Sequence, residues 1–221
     1  MLSTSLIGVL MKLNHLALML LLGSAVTSEA AGYKVCGDIY AKRYGPFDYT
    51  NPEHFRKKLP IVEQYHFTSN VENLISGSTG HLPGPDLSYT LNAFPNHHRA
   101  LAAMTKLAIR QKTDKPQASN YTMECWFDRA VEWRPRDGMV RMLFGNYLSY
   151  GKRYKEALSQ YLMAEDLLKN NTNLFYNMGL LYFNIKNYGK SLEYAKRAYA
   201  GGFPLPGLRN MLVKAGKWER K

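Results

Sequence analysis

The stretch Gly145-Asn-Tyr-Leu-Ser-Tyr-Gly-Lys-Arg-Tyr154-Lys-Glu-Ala157-Leu158 decides the fold, because it recurs as Gly179-Leu-Leu-Tyr-Phe-Asn-Ile-Lys-Asn-Tyr188-Gly-Lys-Ser191-Leu192. The offset is 34 residues: Gly145 returns as Gly179, Tyr154 as Tyr188, Leu158 as Leu192 and Ala164 as Ala198. A fixed period of this length marks a repeated supersecondary unit. Small residues at fixed places let two helix backbones approach, and large ones fill the space between successive helices. One such pair cannot bury its own apolar face, so the units stack into a solenoid.

The order small, large, aromatic, small, large, small resembles the tetratricopeptide repeat. Here those places hold Gly145, Leu148, Tyr154, Ala157, Tyr161 and Ala164, then Gly179, Tyr182, Tyr188, Ser191, Ala195 and Ala198. Ala195 departs from the pattern, being small where a large residue is usual. The resemblance implies an all-α fold: a right-handed α-solenoid of about three tetratricopeptide helix pairs with a C-terminal capping helix.

Carried upstream, the phase puts the helix-ending prolines of two earlier units at Pro135 and Pro95. The sequence predicts a second helix over Tyr121–Arg134 and a first over Asn96–Arg110, where Leu101, Met104 and Ala108 share an apolar face. The surplus over one period falls in the polar stretch Gln111–Asn120, read as a lengthened turn. Asp86–Phe94 reads as the tail of a degenerate helix before them. Downstream, Gly201-Gly202-Phe203-Pro204 stops the last pair, and Gly207–Trp218 forms the cap. The repeat domain is thus expected over 96–221, as units 96–135, 138–169 and 172–203 with a cap at 205–219.

Residues 31–95 are expected to form a mostly irregular module with short helices that caps the first unit. Ile61–Phe67 reads as a short strand or extended segment, and Thr68-Ser-Asn as the N-cap stretch of a helix Val71–Ser76 ended by Gly77. The phrases Tyr44-Gly-Pro-Phe-Asp-Tyr49 and Val62-Glu-Gln-Tyr-His-Phe-Thr68 are similar to those of exported proteobacterial tetratricopeptide proteins. That resemblance carries over no catalytic residue.

Residues 1–30 read as a secretory signal peptide: Lys12, an apolar run from Leu16 to Val26, then Ser28 and Ala30 before the expected cleavage. The run of 11 residues is short for a spanning helix, which needs about 20. The expected location is periplasmic or secreted, with no membrane span after signal removal. With 29 Lys and Arg against 17 Asp and Glu, the chain carries +12, which suits acidic partners. Nucleic acid is disfavoured by the compartment, and the partner expected is another exported or envelope protein, with self-association also open.

Cys36 and Cys125 are the only thiols. An even count in an oxidising compartment favours a disulfide between them, the alternative being two unpaired cysteines. His54, His66, His81, His97 and His98 crowd one region, but their spacing is neither helical nor zinc-like, so no metal and no cofactor is expected. No Gly-x-Ser-x-Gly, His-Glu-x-x-His or phosphate-cradling loop occurs, and the chain is read as no enzyme.

The repeat frame directs certain first-helix positions toward the concave side. These are Arg99, Lys106 and Arg110; Met139, Met142, Asn146 and Tyr150; and Asn173, Tyr176, Asn177, Leu180 and Asn184. Asn146 followed by Asn177 resembles the two asparagines that grip a peptide backbone in chaperone-binding members of the superfamily. An amide donates and accepts at once, so it pairs with main chain whatever the sequence. Met142 stands where those members carry a carboxylate-binding lysine, so a full clamp is not implied. The expected function is a non-enzymatic adaptor holding a partner segment in this groove, with envelope complex or filament assembly as its setting. The alternatives are a structural subunit assembling through convex faces, and a ligand-binding or enzymatic protein using the His-rich module.

Overall fold

The computed structural model describes residues 36–41, 44–78 and 80–218; the expected signal peptide lies outside them. Every regular element among these residues is a helix. In chain order they are α1 (Pro52–Lys57), α2 (Leu59–His66), α3 (Ser69–Glu72), α4 (Gly84–Ala93), α5 (His98–Gln111), α6 (Met123–Trp133), α7 (Gly138–Tyr150), α8 (Tyr154–Leu167), α9 (Thr172–Asn184), α10 (Tyr188–Ala200) and α11 (Gly207–Lys214).

The period is visible in the helix starts. α7 and α9 begin 34 residues apart, as do α8 and α10. Local chemistry sets these starts. Asp137 accepts from the amides of Met139 and Val140, Asn171 from that of Leu174 and Asn187 from that of Lys190. Such N-caps satisfy amides that have no partner inside the helix, at about 1 kcal/mol each. α7 and α8 pair closely, and so do α9 and α10. Gly145 explains the first approach: a Cβ there would sit 2.5 Å from the buried Tyr161 ring. The C-terminal cap α11 closes the last pair, with Leu208 and Leu212 fully buried. The architecture is an α-solenoid.

One apolar core runs from Phe67 through Leu212. A smaller cluster of Leu59, Val62, Ala93 and Phe94 lies under Tyr44, Phe47 and Tyr49.

Several local expectations are corrected. Ile61–Phe67 is not a strand: α2 covers most of it, because Pro60 starts a helix readily and Leu59 and Val62 face inward one turn apart. α3 ends at Glu72 rather than running to Ser76, and Leu74 turns the chain at φ 59° before Gly77 is reached. α4 is a full ten-residue helix packed on α5, not a tail. α5 starts two residues later than expected, with His97 as its N-cap, its Nδ1 accepting from Ala100 N at 3.1 Å.

Candidate functional site

α5, α7 and α9 are the first helices of their pairs and present the groove positions. Asn177 Nδ2 donates to Asn146 Oδ1 at 2.9 Å, and Tyr161 Oη donates to the same oxygen at 2.8 Å. The two asparagines are therefore joined across neighbouring pairs. Asn146 Nδ2 and Asn177 Oδ1 make no hydrogen bond among the described residues, which leaves one donor and one acceptor of the pair unused. Asn173, Asn184 and Tyr150 are exposed, and Leu180 and Met139 are half-buried.

The other expected groove residues are used elsewhere. Arg99 pairs with Glu72 and reaches Glu63 at 3.1 Å, with its guanidinium over the Phe67 ring. Arg110 donates to the Leu74 carbonyl at 2.8 Å. Both cations are thus engaged by the chain's own α2–α3 segment, whereas Lys106 is exposed and has neither an ion pair nor a hydrogen bond among the described residues. Met142 is 5% exposed and belongs to the core, because its position turns inward between α7 and its neighbours. Tyr176 stacks on Phe203 at 4.1 Å, and its hydroxyl accepts from the Leu208 amide. That ring is a part of the C-terminal cap and not of a free surface.

Cys36 and Cys125 form a disulfide, S–S 2.05 Å. Beside it lies a residue that the sequence reading passed over. Arg129 is 1% exposed and forms no ion pair among the described residues. Its Nη1 donates to the carbonyls of Cys36 and Gly37, each at 3.1 Å, and its Nη2 to Asn92 Oδ1 at 3.2 Å. The Tyr121 ring lies 4.8 Å from the guanidinium. Burial pulls its pKa down. The available signal was its place one helical turn after Cys125, on the buried side of α6.

The histidines are split among separate contacts. His54 Nδ1 accepts from Asp48 N, His66 Nδ1 meets Asp86 at 2.9 Å, and His97 Nε2 meets Glu63 at 3.1 Å. His98 Nε2 lies 2.8 Å from Asp137. His54, Glu63, His66 and His81 do not converge, and no described group of three His, Cys, Asp or Glu is placed to hold a metal. Burial pushes the His97 pKa down despite Glu63.

A second feature missed in the sequence is a buried polar knot. Asn96, fully buried, donates to Asp48 at 2.9 Å and to Asp137 at 3.0 Å, while its oxygen accepts from Tyr49 N. Arg134 Nε reaches Asp48 at 2.6 Å. Burial works to raise the Asp48 pKa, but Arg134, Thr50 and Asn96 outweigh it and hold it at about 2. Asp137 is also lowered: burial opposes this, and His98 and Asn96 prevail.

No protein-family model and no curated protein matches the chain. Among solved structures it is similar to PilF of Pseudomonas aeruginosa, with a TM-score of 0.52 at 20% identity, over 75% of this chain and 70% of that one. It is more loosely similar to YrrB, described as a tetratricopeptide protein with an unusual peptide-binding site, with a TM-score of 0.44 at 22% identity, over 62% of this chain and 65% of that one. At this identity the PilF likeness bears on fold alone. Together with the 34-residue helix period, it supports an α-solenoid of paired helices.

Proposed function

We propose that the chain is an exported, non-enzymatic adaptor that holds an extended segment of another protein along the inner faces of α7 and α9. The observation that carries this is the joined Asn146–Asn177 pair with its spare donor and acceptor. An extended main chain offers the complementary carbonyl and amide. Export is supported by the signal-like first thirty residues and by the Cys36–Cys125 disulfide. No described helix is long and apolar enough to cross a membrane. Assembly of an envelope complex or filament is the setting that suits such an adaptor.

The test is affinity capture from envelope extract with the mature chain, with Asn146→Ala/Asn177→Ala as the comparison. The reading expects a partner recovered by the native chain and reduced about tenfold by the variant. Equal recovery defeats it. A second reading, assembly through convex faces, is favoured by Leu162 and Met163, exposed to 46% and 45% on α8. Light scattering of the purified chain across concentration separates the two.

A further inference from the structure

Six helices end with a residue in the left-handed region: α3 at Leu74, φ 59°, and five later ones whose residue types differ by location. α10 and α11 use glycine, Gly202 at φ 85° and Gly216 at φ 65°. α5, α7 and α9 use lysine instead: Lys112 at φ 53°, Lys152 at φ 60° and Lys186 at φ 62°. All six make the same closing bond, in which the next residue's amide donates to a carbonyl five residues back: Ile75 to Asn70, Thr113 to Ala108, Arg153 to Leu148, Asn187 to Tyr182, Phe203 to Ala198 and Lys217 to Leu212. Glycine takes this conformation freely, whereas a side chain with a Cβ is strained in it. From α5 onward the chain accepts this strain at the turns between first and second helices and uses glycine at the other two ends; before them, Leu74 bears it after α3.

Those turns lie along one edge of the solenoid. Residues of the first two turns line one cavity of about 270 Å³, among them Ile109, Lys112, Tyr147, Leu148 and Tyr150; Lys152 adjoins it between the lining Gly151 and Arg153. The third turn follows from the second by the same repeat that relates α7 to α9. Lys217 returns to this edge from the cap, its Nζ 5.9 Å from the Tyr188 ring. Lys112, Lys152, Lys186 and Lys217 are exposed, and none has an ion pair among the described residues. Of the acidic groups nearby, Glu124 and Glu156 are both held by Arg153, Glu193 is held by Lys190, and Asp114 is itself one of the residues lining the cavity. The positive excess extends beyond the edge: residues 138–218 carry twelve Lys and Arg against four Asp and Glu.

We propose that this edge docks an acidic segment of the partner protein, with one bulky apolar side chain seated between the first two turns. The inference rests on the adaptor reading, and it adds the partner's chemistry and a second contact outside the asparagine pair. The cavity is the size of one large side chain, and unpaired cations flank it. That combination fits a carboxylate-rich peptide with an apolar anchor better than a lipid surface or a polysaccharide, neither of which needs an apolar slot.

The probe is the capped peptide Glu-Glu-Trp-Glu-Glu, titrated into the whole mature chain and followed by methyl and amide NMR. Two comparison peptides replace Trp by Ser, or every Glu by Lys. The expected result is shifts at the Ile109 and Leu148 methyls, with binding at least about tenfold weaker for both comparison peptides. Lys112→Asn/Lys152→Asn should weaken the Trp peptide about tenfold while keeping the fold, since asparagine tolerates the left-handed turn. Unmoved Ile109 and Leu148 methyls overturn the inference, as does equal binding of the Lys peptide or displacement by anionic vesicles that themselves leave the slot unperturbed. Shifts confined to Asn146 and Asn177 overturn it while the groove reading stands. Slot binding that survives Asn146→Ala/Asn177→Ala, in a chain whose captured partner also survives it, upholds the edge and removes the groove.

Discussion

The two ends of the molecule are held together by different physics. From α7 to α10 the helices pack through apolar side chains and small residues that repeat on a fixed period, and few buried polar side chains take part. From Cys36 to α6 the apolar core continues, but single, unrepeated contacts are added to it: the disulfide, buried Arg129 on backbone carbonyls, and Asn96 between two aspartates. A periodic region spreads its stability over many equivalent contacts. An aperiodic one concentrates it in a few that fail abruptly.

The largest expected effect breaks the aperiodic end. Cys36→Ser/Cys125→Ser opens a loop spanning 89 residues. The chain-entropy account puts the loss at about 4 kcal/mol. Hydrogen exchange should then show residues 36–95 losing protection well before 138–203. Equal loss in both regions would mean that they unfold as one and would erase the contrast. Next comes Arg129→Ala, expected to cost about 3 kcal/mol in urea unfolding, because Asn92 and two carbonyls lose their partner inside the protein.

Acid sharpens the comparison further. The Asp48 pKa is held at about 2 in the folded chain. The stability it adds is complete above the unfolded value, near pH 4, and is lost as pH falls toward 2. The amount is about 2 kcal/mol. Asp48→Asn should remove that part of the pH dependence between pH 5 and 2. His97, whose pKa burial lowers, contributes a separate loss that begins as pH falls through about 6.5 and persists in the variant. The smallest effect probes the periodic end. Gly145→Ala places a Cβ against the Tyr161 ring and should lower stability by about 1 kcal/mol, the overpacking partly offset by better helix propensity. Protection in 36–95 should be unchanged.

The same contrast explains how much could be read in advance. The helix pairs from Gly138 onward were legible because Gly145, Tyr154, Ala157 and their counterparts 34 residues on state the packing in residue size alone. α2 was misread because Ile61, Val62, Tyr65 and Phe67 favour strands by type, while the burial of Leu59 and Val62 that makes them helical depends on Ala93 and Phe94, some thirty residues away. For the proposed groove, phase alone brings Asn146 and Asn177 onto neighbouring first helices, where they are hydrogen-bonded. The engagement of Arg99 and Arg110 does not follow from phase, since Glu63, Glu72 and Leu74 reach them only through the tertiary fold. Tyr176 was misassigned for the same reason: Phe203 and Leu208 come back over it from the cap.

The covering of α5 by α2 and α3 also sets a measuring length. With that helix face taken, the proposed inner surface is two helices wide, or roughly 20 Å at ordinary helix spacing. A peptide drawn out at about 3.3 Å per residue crosses such a span in about six residues. Lengthening a bound peptide beyond that footprint should add nothing to its grip on the asparagines, whatever the size of the protein it belongs to.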